Sequence, residues 1–287
     1  MYYDFNLPSP KNSDKSELDK VADLLNRIQS IDRAIVAWNT TVEDFKQVKE
    51  FRPSEGYPKI QQVNRVTVAV DNPKKNYQLV STNPINQNID ILAVQPLNKE
   101  ACKHTCQTHE IDLVSIDLST PGLLPGYVTA QQAINRGIFF EICYTQAIRD
   151  PQRRALFYSN VTKLVQQTRG HNLILSSGAL RAIEIKRPAD IRIMALMFGM
   201  TEAQAENAVG HNYHRLLKKA ETRKTTILAA IRVNSPVSSS LTTEAPVSVA
   251  SSQTITTTTM PLSNQQKRKQ QKTNNNKQQK KQKIAQS

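Results

Sequence analysis

Four metal-loving side chains crowd one short stretch of this 287-residue chain, CKHTCQTH: Cys102, His104, Cys106 and His109. By type they suit zinc, yet closed zinc sites draw their ligands from separated pairs. If the stretch is a helix, Cys102, Cys106 and His109 share the face that packs on a sheet, and His104 points elsewhere. Buried cysteines are common core residues, so core packing is the expected use. HNYH sets His211 and His214 one helical turn apart. Without a carboxylate or thiol, and with Lys218 and Lys219 close by, they make a poor cation site, and a neutral surface or base-stacking role fits better. Glu141 and Cys143 share one face of the apolar run IFFEICY. A carboxylate there needs a partner, and an ion pair to an arginine of a neighbouring element is expected in preference to catalysis. Ser176 and Ser177 close another apolar run but lack the G-x-S-x-G elbow of a nucleophile. Finally, MYYDFNLP carries Asp4 on an apolar N-terminal strand, where a metallo-phosphoesterase would continue with histidines; this chain has Asn6 and Pro8 instead.

A stronger pattern is basic. Arg149, Arg153 and Arg154 lie in IRDPQRRALFY, and Arg181, Lys186, Arg187 and Arg192 in LRAIEIKRPADIR. Arg215, Lys218, Lys219, Arg223 and Lys224 follow in HRLLKKAETRK. Arginine forks match phosphate oxygens, and many such contacts give salt-dependent affinity for nucleic acid. Several of these residues fall at helix starts or in strand-to-helix loops, so they are expected to converge on one face of the fold. The alternative is ordinary solvated helix surface. The charge distribution argues against it: the formal net charge is −2 over residues 1–135, +9 over 136–234 and +7 over 235–287.

The elements that must position these side chains alternate. Apolar strand runs are expected at YYDFNL, 34–40, 63–72, 89–97, 111–119, 138–144 and 173–179. Between and after them come amphipathic stretches at SELDKVADLLNRIQS, 41–50, 98–110, 129–137, 150–170, 188–200 and 201–223. Ser16 with Asp19 resembles a capping box, Pro151 suits a first helical turn, and Gly137 and Gly170 suit helix ends. Seven or eight short strands alternating with helices over roughly 230 residues predict a parallel α/β sheet closed into a (β/α) barrel. An open doubly wound sheet is the alternative, and no dinucleotide or P-loop glycine motif accompanies it.

Bulk properties agree with an anionic partner. The chain carries +14 overall with a pI near 9.7, which favours nucleic acid first and an acidic membrane second. No apolar run reaches eighteen residues, so no transmembrane helix is expected. The N-terminus lacks the basic-then-apolar pattern of a secretory signal, and three cysteines point to a reducing compartment. From residue 234 the composition turns to Ser, Thr, Gln, Asn and Lys, so the expected division is a folded domain over 1–233 and a disordered basic tail over 234–287. The KRKQQK and KKQK runs suit nuclear import or non-specific RNA contact.

EICYTQAIRDPQRRALFYSN, LILSSGA, RPADIRIMALMFGM and ETRK, in that order, closely resemble the thirty-kilodalton protein subunit of ribonuclease P and ribonuclease MRP, also called protein component three. The N-terminal YYDFNLP is similar to that family's first strand. The resemblance covers about residues 1–232 and implies a TIM-like barrel of the polymerase-and-histidinol-phosphatase type. Metalloenzyme relatives of that type carry D-x-H-x-H on the first strand. Asn6 and Pro8 stand at the histidine positions, which implies a metal site that has been lost.

The resemblance further implies a non-catalytic RNA-binding subunit that supports a catalytic RNA. The particle removes the 5′ leader of precursor tRNA or, as ribonuclease MRP, processes ribosomal RNA precursors. The implied partners are those RNAs and other protein subunits, including a small ferredoxin-like one, with no membrane and a location in the nucleus and nucleolus. No cofactor or metal is expected on this chain, since Mg²⁺ would belong to the RNA active site. By matching, RNA contact falls on Arg149, Arg153, Arg154, Arg181, Arg187, Arg223 and Lys224; the residue reading adds Lys186 and Arg215. The rival is a metal-dependent phosphoesterase on the same barrel, with ligands drawn from His104, His109, His211 and Asp117. A third reading takes the Met-rich MALMFGM as a protein-docking surface, although core packing is its expected use.

Overall fold

A computed structural model of the chain describes residues 1–10, 14–44, 47–48, 51–72, 79–80, 83–227 and 231–232. Seven strands form one parallel sheet in chain order: β1 (Tyr2–Pro8), β2 (Ala34–Val42), β3 (Ile60–Val70), β4 (Ile91–Pro96), β5 (Leu113–Ser115), β6 (Phe139–Cys143) and β7 (Leu173–Ser176). Among the described residues no ladder joins β7 back to β1. The seam is bridged instead by the Ser177 amide, which donates to Asp4 Oδ1 at 3.1 Å. The fold is a nearly closed TIM-like barrel, as the alternation of apolar and amphipathic runs predicts.

Nine helices lie among the described residues: α1 (Lys15–Gln29), α2 (Pro84–Gln87), α3 (Lys99–Gln107), α4 (Tyr127–Asn135), α5 (Thr145–Arg149), α6 (Arg154–Thr168), α7 (Pro188–Met197), α8 (Glu202–Glu206) and α9 (Asn212–Thr225). A π-helical turn, Asn207–His211, joins α8 to α9. Beyond α9, Thr226–Ile227 and Ile231–Arg232 pair antiparallel. Three local expectations shift. Helix α1 starts one residue before Ser16, with Asp14 at its N-cap. Of the helix expected over 41–50, Thr41 and Val42 instead continue β2 and Glu43 and Asp44 form a bend, while residues 45–46 and 49–50 lie outside the described residues. The single helix expected over 150–170 is α6, preceded by the separate short α5. The tail, 234–287, also lies outside the described residues.

Strand alternation sorts the core into two layers. Val36, Val66, Val68, Leu92, Val94, Val114, Phe140 and Leu175 face the helices. Tyr3, Phe5, Ile35, Ala37, Val63, Ile91, Ala93, Leu113, Phe139 and Ile174 fill the lumen near the N-terminal ends of the strands, where Tyr213 and Leu216 of α9 plug it. Tyr213 stacks on Tyr3 with centroids 5.2 Å apart and meets Phe5 edge-on at 4.7 Å. Its hydroxyl donates to the Leu175 carbonyl, and Asn212 donates to Leu173. Helix α9 is therefore the floor of the barrel.

Candidate nucleic-acid interface

Above the apolar floor the lumen turns polar. Arg65 on β3 and Glu141 on β6 form a two-pronged pair, Nη1–Oε1 2.6 Å and Nη2–Oε2 2.8 Å, with neither side chain exposed. Ser115 donates to Glu141 Oε2 at 2.5 Å and Asn6 donates to the same oxygen at 3.2 Å. Burial by itself would raise the Glu141 pKa, but the Arg65 charge and the hydrogen bonds from Arg65 and Ser115 outweigh it and hold the carboxyl below its ordinary value. This is the ion pair expected for Glu141, and its cation is the residue that sequence reasoning left unnamed. One signal was available: Arg65 interrupts the apolar VNRVTVAV at a lumen-facing position, as Glu141 interrupts IFFEICY.

Asp4 is fully buried and accepts from Tyr2 Oη, the Asn6 amide and the Ser177 amide, each at 3.1 Å. Burial raises its pKa, and these hydrogen bonds oppose the rise. All three contacts serve β1 and the β7 seam, so Asp4 is a structural staple. Asp4→Asn keeps the acceptor oxygen for both amides and is expected to lower stability by no more than about 1 kcal/mol, measured by urea unfolding. Cys143, beside this network, is buried with its thiol pushed up to about 12 by burial and by the Glu141 charge, so it is no nucleophile.

The remaining candidates do not assemble a metal site. Cys102 and Cys106 of α3 are buried in the core as expected. His104 does not point elsewhere: its Nδ1 lies 3.2 Å from His109 Nε2, because α3 ends at Gln107 and the chain turns His109 back. Burial, with His104 and Arg136 nearby, lowers the His109 pKa to about 4. His214 is hydrogen-bonded to Tyr3 Oη at 2.5 Å. Asp117 caps its own turn, accepting from the Ser119 amide and the Thr120 hydroxyl. Among the described residues no group of three or more His, Cys, Asp or Glu side chains is placed to hold a metal ion. Of the ligand set required by the phosphoesterase alternative, His104 and His109 meet but no third ligand joins them in such a group. Of MALMFGM, Phe198 and Met200 are buried while Met197 is exposed.

The nine basic candidates separate between the two ends of the barrel. Six gather at the C-terminal mouth, in the segments that follow β6 and β7. There Glu184, 4% exposed, accepts from Arg149 Nη2 at 2.6 Å, Arg181 Nη2 at 3.3 Å and the Leu180 amide at 2.8 Å. Burial opposes ionisation of Glu184, but the Arg149 hydrogen bond and charge, with the Leu180 amide and Arg181, win and lower its pKa to about 2. The two arginines it holds stay 34% and 74% exposed. Arg149 also donates to the Gly178 carbonyl at 2.5 Å. Gly178 has φ +60°, and a Cβ there would lie 2.4 Å from Cys143 Sγ, so only glycine fits this turn.

Arg154 donates from Nε to the Ala147 carbonyl at 2.8 Å, and exposed Arg153 pairs loosely with Asp150 at 3.4 Å. Lys186 donates through Nζ to the Ile183 carbonyl at 3.4 Å, and Arg187 is the exposed N-cap of α7. Helices α6 and α7 start at this end, adding the partial positive charge of their N-termini. Exposed Ile148, Leu180 and Ile183 stand among the cations. Glu184, which holds two of these arginines, is the residue that the sequence reading missed; an acid among the basic residues of LRAIEIKRPADIR is its only local trace.

Arg215, Arg223 and Lys224 belong to α9, at the opposite end. Arg223 is 6% exposed: its Nε meets Asp112 Oδ2 at 2.9 Å, and its other donors reach the carbonyls of Asn86 and Ile89. Lys224 pairs with Asp90 at 2.7 Å. Arg215 bonds Asn212 and lies over the Phe139 ring at 5.6 Å. Arg223 is withdrawn from the candidate interface because its guanidinium is wholly committed to fastening the floor.

A family model described as RNase P subunit p30 matches residues 1–225. Ribonuclease P protein subunit p30 of Mus musculus is 36% identical over 166 residues, covering 57% of this chain and 61% of that protein. Protein GAMETOPHYTE DEFECTIVE 1 of Arabidopsis thaliana is 36% identical over 173 residues, 60% of this chain and 30% of that longer protein. The matched region thus spans under two thirds of either relative. A chain in the cryo-EM structure of archaeal ribonuclease P with mature tRNA shares the fold at TM-score 0.56 and 14% identity, over 80% of this chain and 97% of that one.

Proposed function

The chain belongs to the RNase P subunit p30 family, and from that premise we propose that it is a non-catalytic protein subunit of ribonuclease P, supporting the RNA that removes the 5′ leader of precursor tRNA. The observation that carries the reading is the family match over residues 1–225. The mouth of the barrel supplies a physical means: Arg149, Arg153, Arg154, Arg181, Lys186 and Arg187 lie in the same segments as exposed apolar Ile148, Leu180 and Ile183. Such cations replace counterions around RNA phosphates and let crowded helices approach, and Glu184 keeps two of them pre-positioned. The lumen filled by Arg65 and Glu141 favours a structural role over phosphoester hydrolysis by this chain. The Mg²⁺ chemistry is assigned to the RNA. The same role extends to the ribonuclease MRP particle, to contact with other protein subunits including a small ferredoxin-like one, and to a nuclear, nucleolar location. The tail over 234–287 is assigned to import or to auxiliary RNA contact.

Two experiments test this. Pull-down of the protein from its own cells, followed by RNA sequencing and a precursor-tRNA cleavage assay, is expected to recover one or two structured non-coding RNAs together with the activity. A protein that brings down no RNA overturns the reading. Separately, Arg153→Ala/Arg154→Ala is expected to leave thermal unfolding unchanged while weakening RNA binding, with the salt slope falling by about 1 for each phosphate no longer neutralised. An unchanged affinity and slope would remove these residues from the interface.

A further inference from the structure

The residues at the C-terminal end of the lumen do not fit a metal ion. The space is taken by a guanidinium. Arg65 reaches Glu141 with two parallel hydrogen bonds, donates from Nη1 to the Phe5 carbonyl at 2.6 Å and from Nε to Thr67 Oγ1 at 3.1 Å. The surrounding groups are oriented for that shape. Thr67 donates its own proton to Asn39 Oδ1 at 2.6 Å, Asn39 donates to Asn6 Oδ1 at 2.8 Å, and Asn6 donates to Glu141 Oε2 at 3.2 Å. A divalent cation would have to displace a buried positive charge. It would then find one carboxylate and an amide turned NH₂-first, while the other acid, Asp4, is spent on Tyr2 and two backbone amides.

We infer that this chamber is a cation-binding site whose occupant is the chain's own Arg65, selective for a planar guanidinium and not for a metal. Five strands contribute side chains to it: β1 (Asn6), β2 (Asn39), β3 (Arg65, Thr67), β5 (Ser115) and β6 (Glu141). The site ties these strands together beneath the mouth: Arg65 and Glu141 are fully buried, while Asn6, Asn39 and Ser115 are partly exposed at its rim. The inference is independent of any RNA contact.

The test uses the full-length chain carrying Arg65→Ala, which leaves the anionic half of the site vacant. The variant is expected to melt at a lower temperature than the natural protein. Guanidinium or methylguanidinium at millimolar concentration, far below denaturing levels, is expected to raise its midpoint in a saturable way. Mn²⁺ and Zn²⁺ are expected to have no such effect. Arg65→Ala/Glu141→Gln is expected to melt higher than the single variant and to ignore guanidinium, because the unpaired charge is gone. If Arg65→Ala does not stay folded, its refolding yield from urea replaces the midpoint, with the same saturable rise expected. The inference is overturned if guanidinium changes neither midpoint nor yield, if either metal rescues as well as guanidinium, or if the double variant responds like the single one.

Discussion

Glu141→Ala lowers the stability of the barrel by about 3–5 kcal/mol, the range for removing one partner of a buried ion pair, and equilibrium urea unfolding measures it. The magnitude comes from what is left behind. Arg65 has no exposed surface, and Glu141 is its one carboxylate partner among the described residues. Without it the charge remains in the low-dielectric interior with the Phe5 carbonyl and Thr67 Oγ1 as acceptors. Replacing both partners by apolar residues of similar size, Arg65→Met/Glu141→Leu, recovers most of the loss, since a buried pair stabilises little relative to good packing. A double variant no more stable than Glu141→Ala would show that the hydrogen bonds to Asn6 and Ser115 carry the effect instead.

The pair also sets an acid limit. Glu141 has a folded pKa depressed below its unfolded value, so its contribution is present above the unfolded value and lost as pH falls through the folded one. Glu184 acts in the same direction, losing its contribution as pH drops from the ordinary carboxyl range toward about 2. The natural protein therefore loses stability in acid, and the Arg65→Met/Glu141→Leu variant loses less, a comparison that thermal melts across pH would make directly.

Arg223→Ala has an effect of similar size at the other end of the barrel. Asp112 is fully buried and uses one oxygen for the Leu92 amide at 2.9 Å, so losing Arg223 leaves its charge to Lys219 at 3.6 Å. The carbonyls of Asn86 and Ile89 lose their donors too. A loss of about 3 kcal/mol or more is expected, together with loosening of α9 that hydrogen exchange would detect. RNA affinity should fall only to the extent that the protein unfolds. At a temperature where the variant is fully folded, a salt slope equal to that of the natural protein separates this scaffold arginine from the mouth residues. A reduced slope would return Arg223 to the interface.

The contrast between Arg223 and Arg153 shows what the chain carries in its sequence. Seven apolar runs at near-regular spacing, each too short for a helix of its own and each followed by an amphipathic stretch, call for a parallel sheet buried on both faces, closed as a barrel or open. The basic excess after residue 136, Asn6 and Pro8 in place of histidines after Asp4, and the need of Glu141 for an arginine are properties of residue type and local order, so they are readable without coordinates. The partition of the cations is not. Arg149, Arg153 and Arg223 look alike in sequence, and all lie near helix ends. Only closure of the barrel sends the segments after β6 and β7 to one end and folds α9 across the other, where Asp112 and Asp90 wait more than a hundred residues away in sequence. The same holds for Arg65 and Glu141, 76 positions apart. Periodicity follows from neighbours along the chain, whereas the charge that meets a buried carboxylate depends on which strands lie side by side, and that is set by tertiary structure alone.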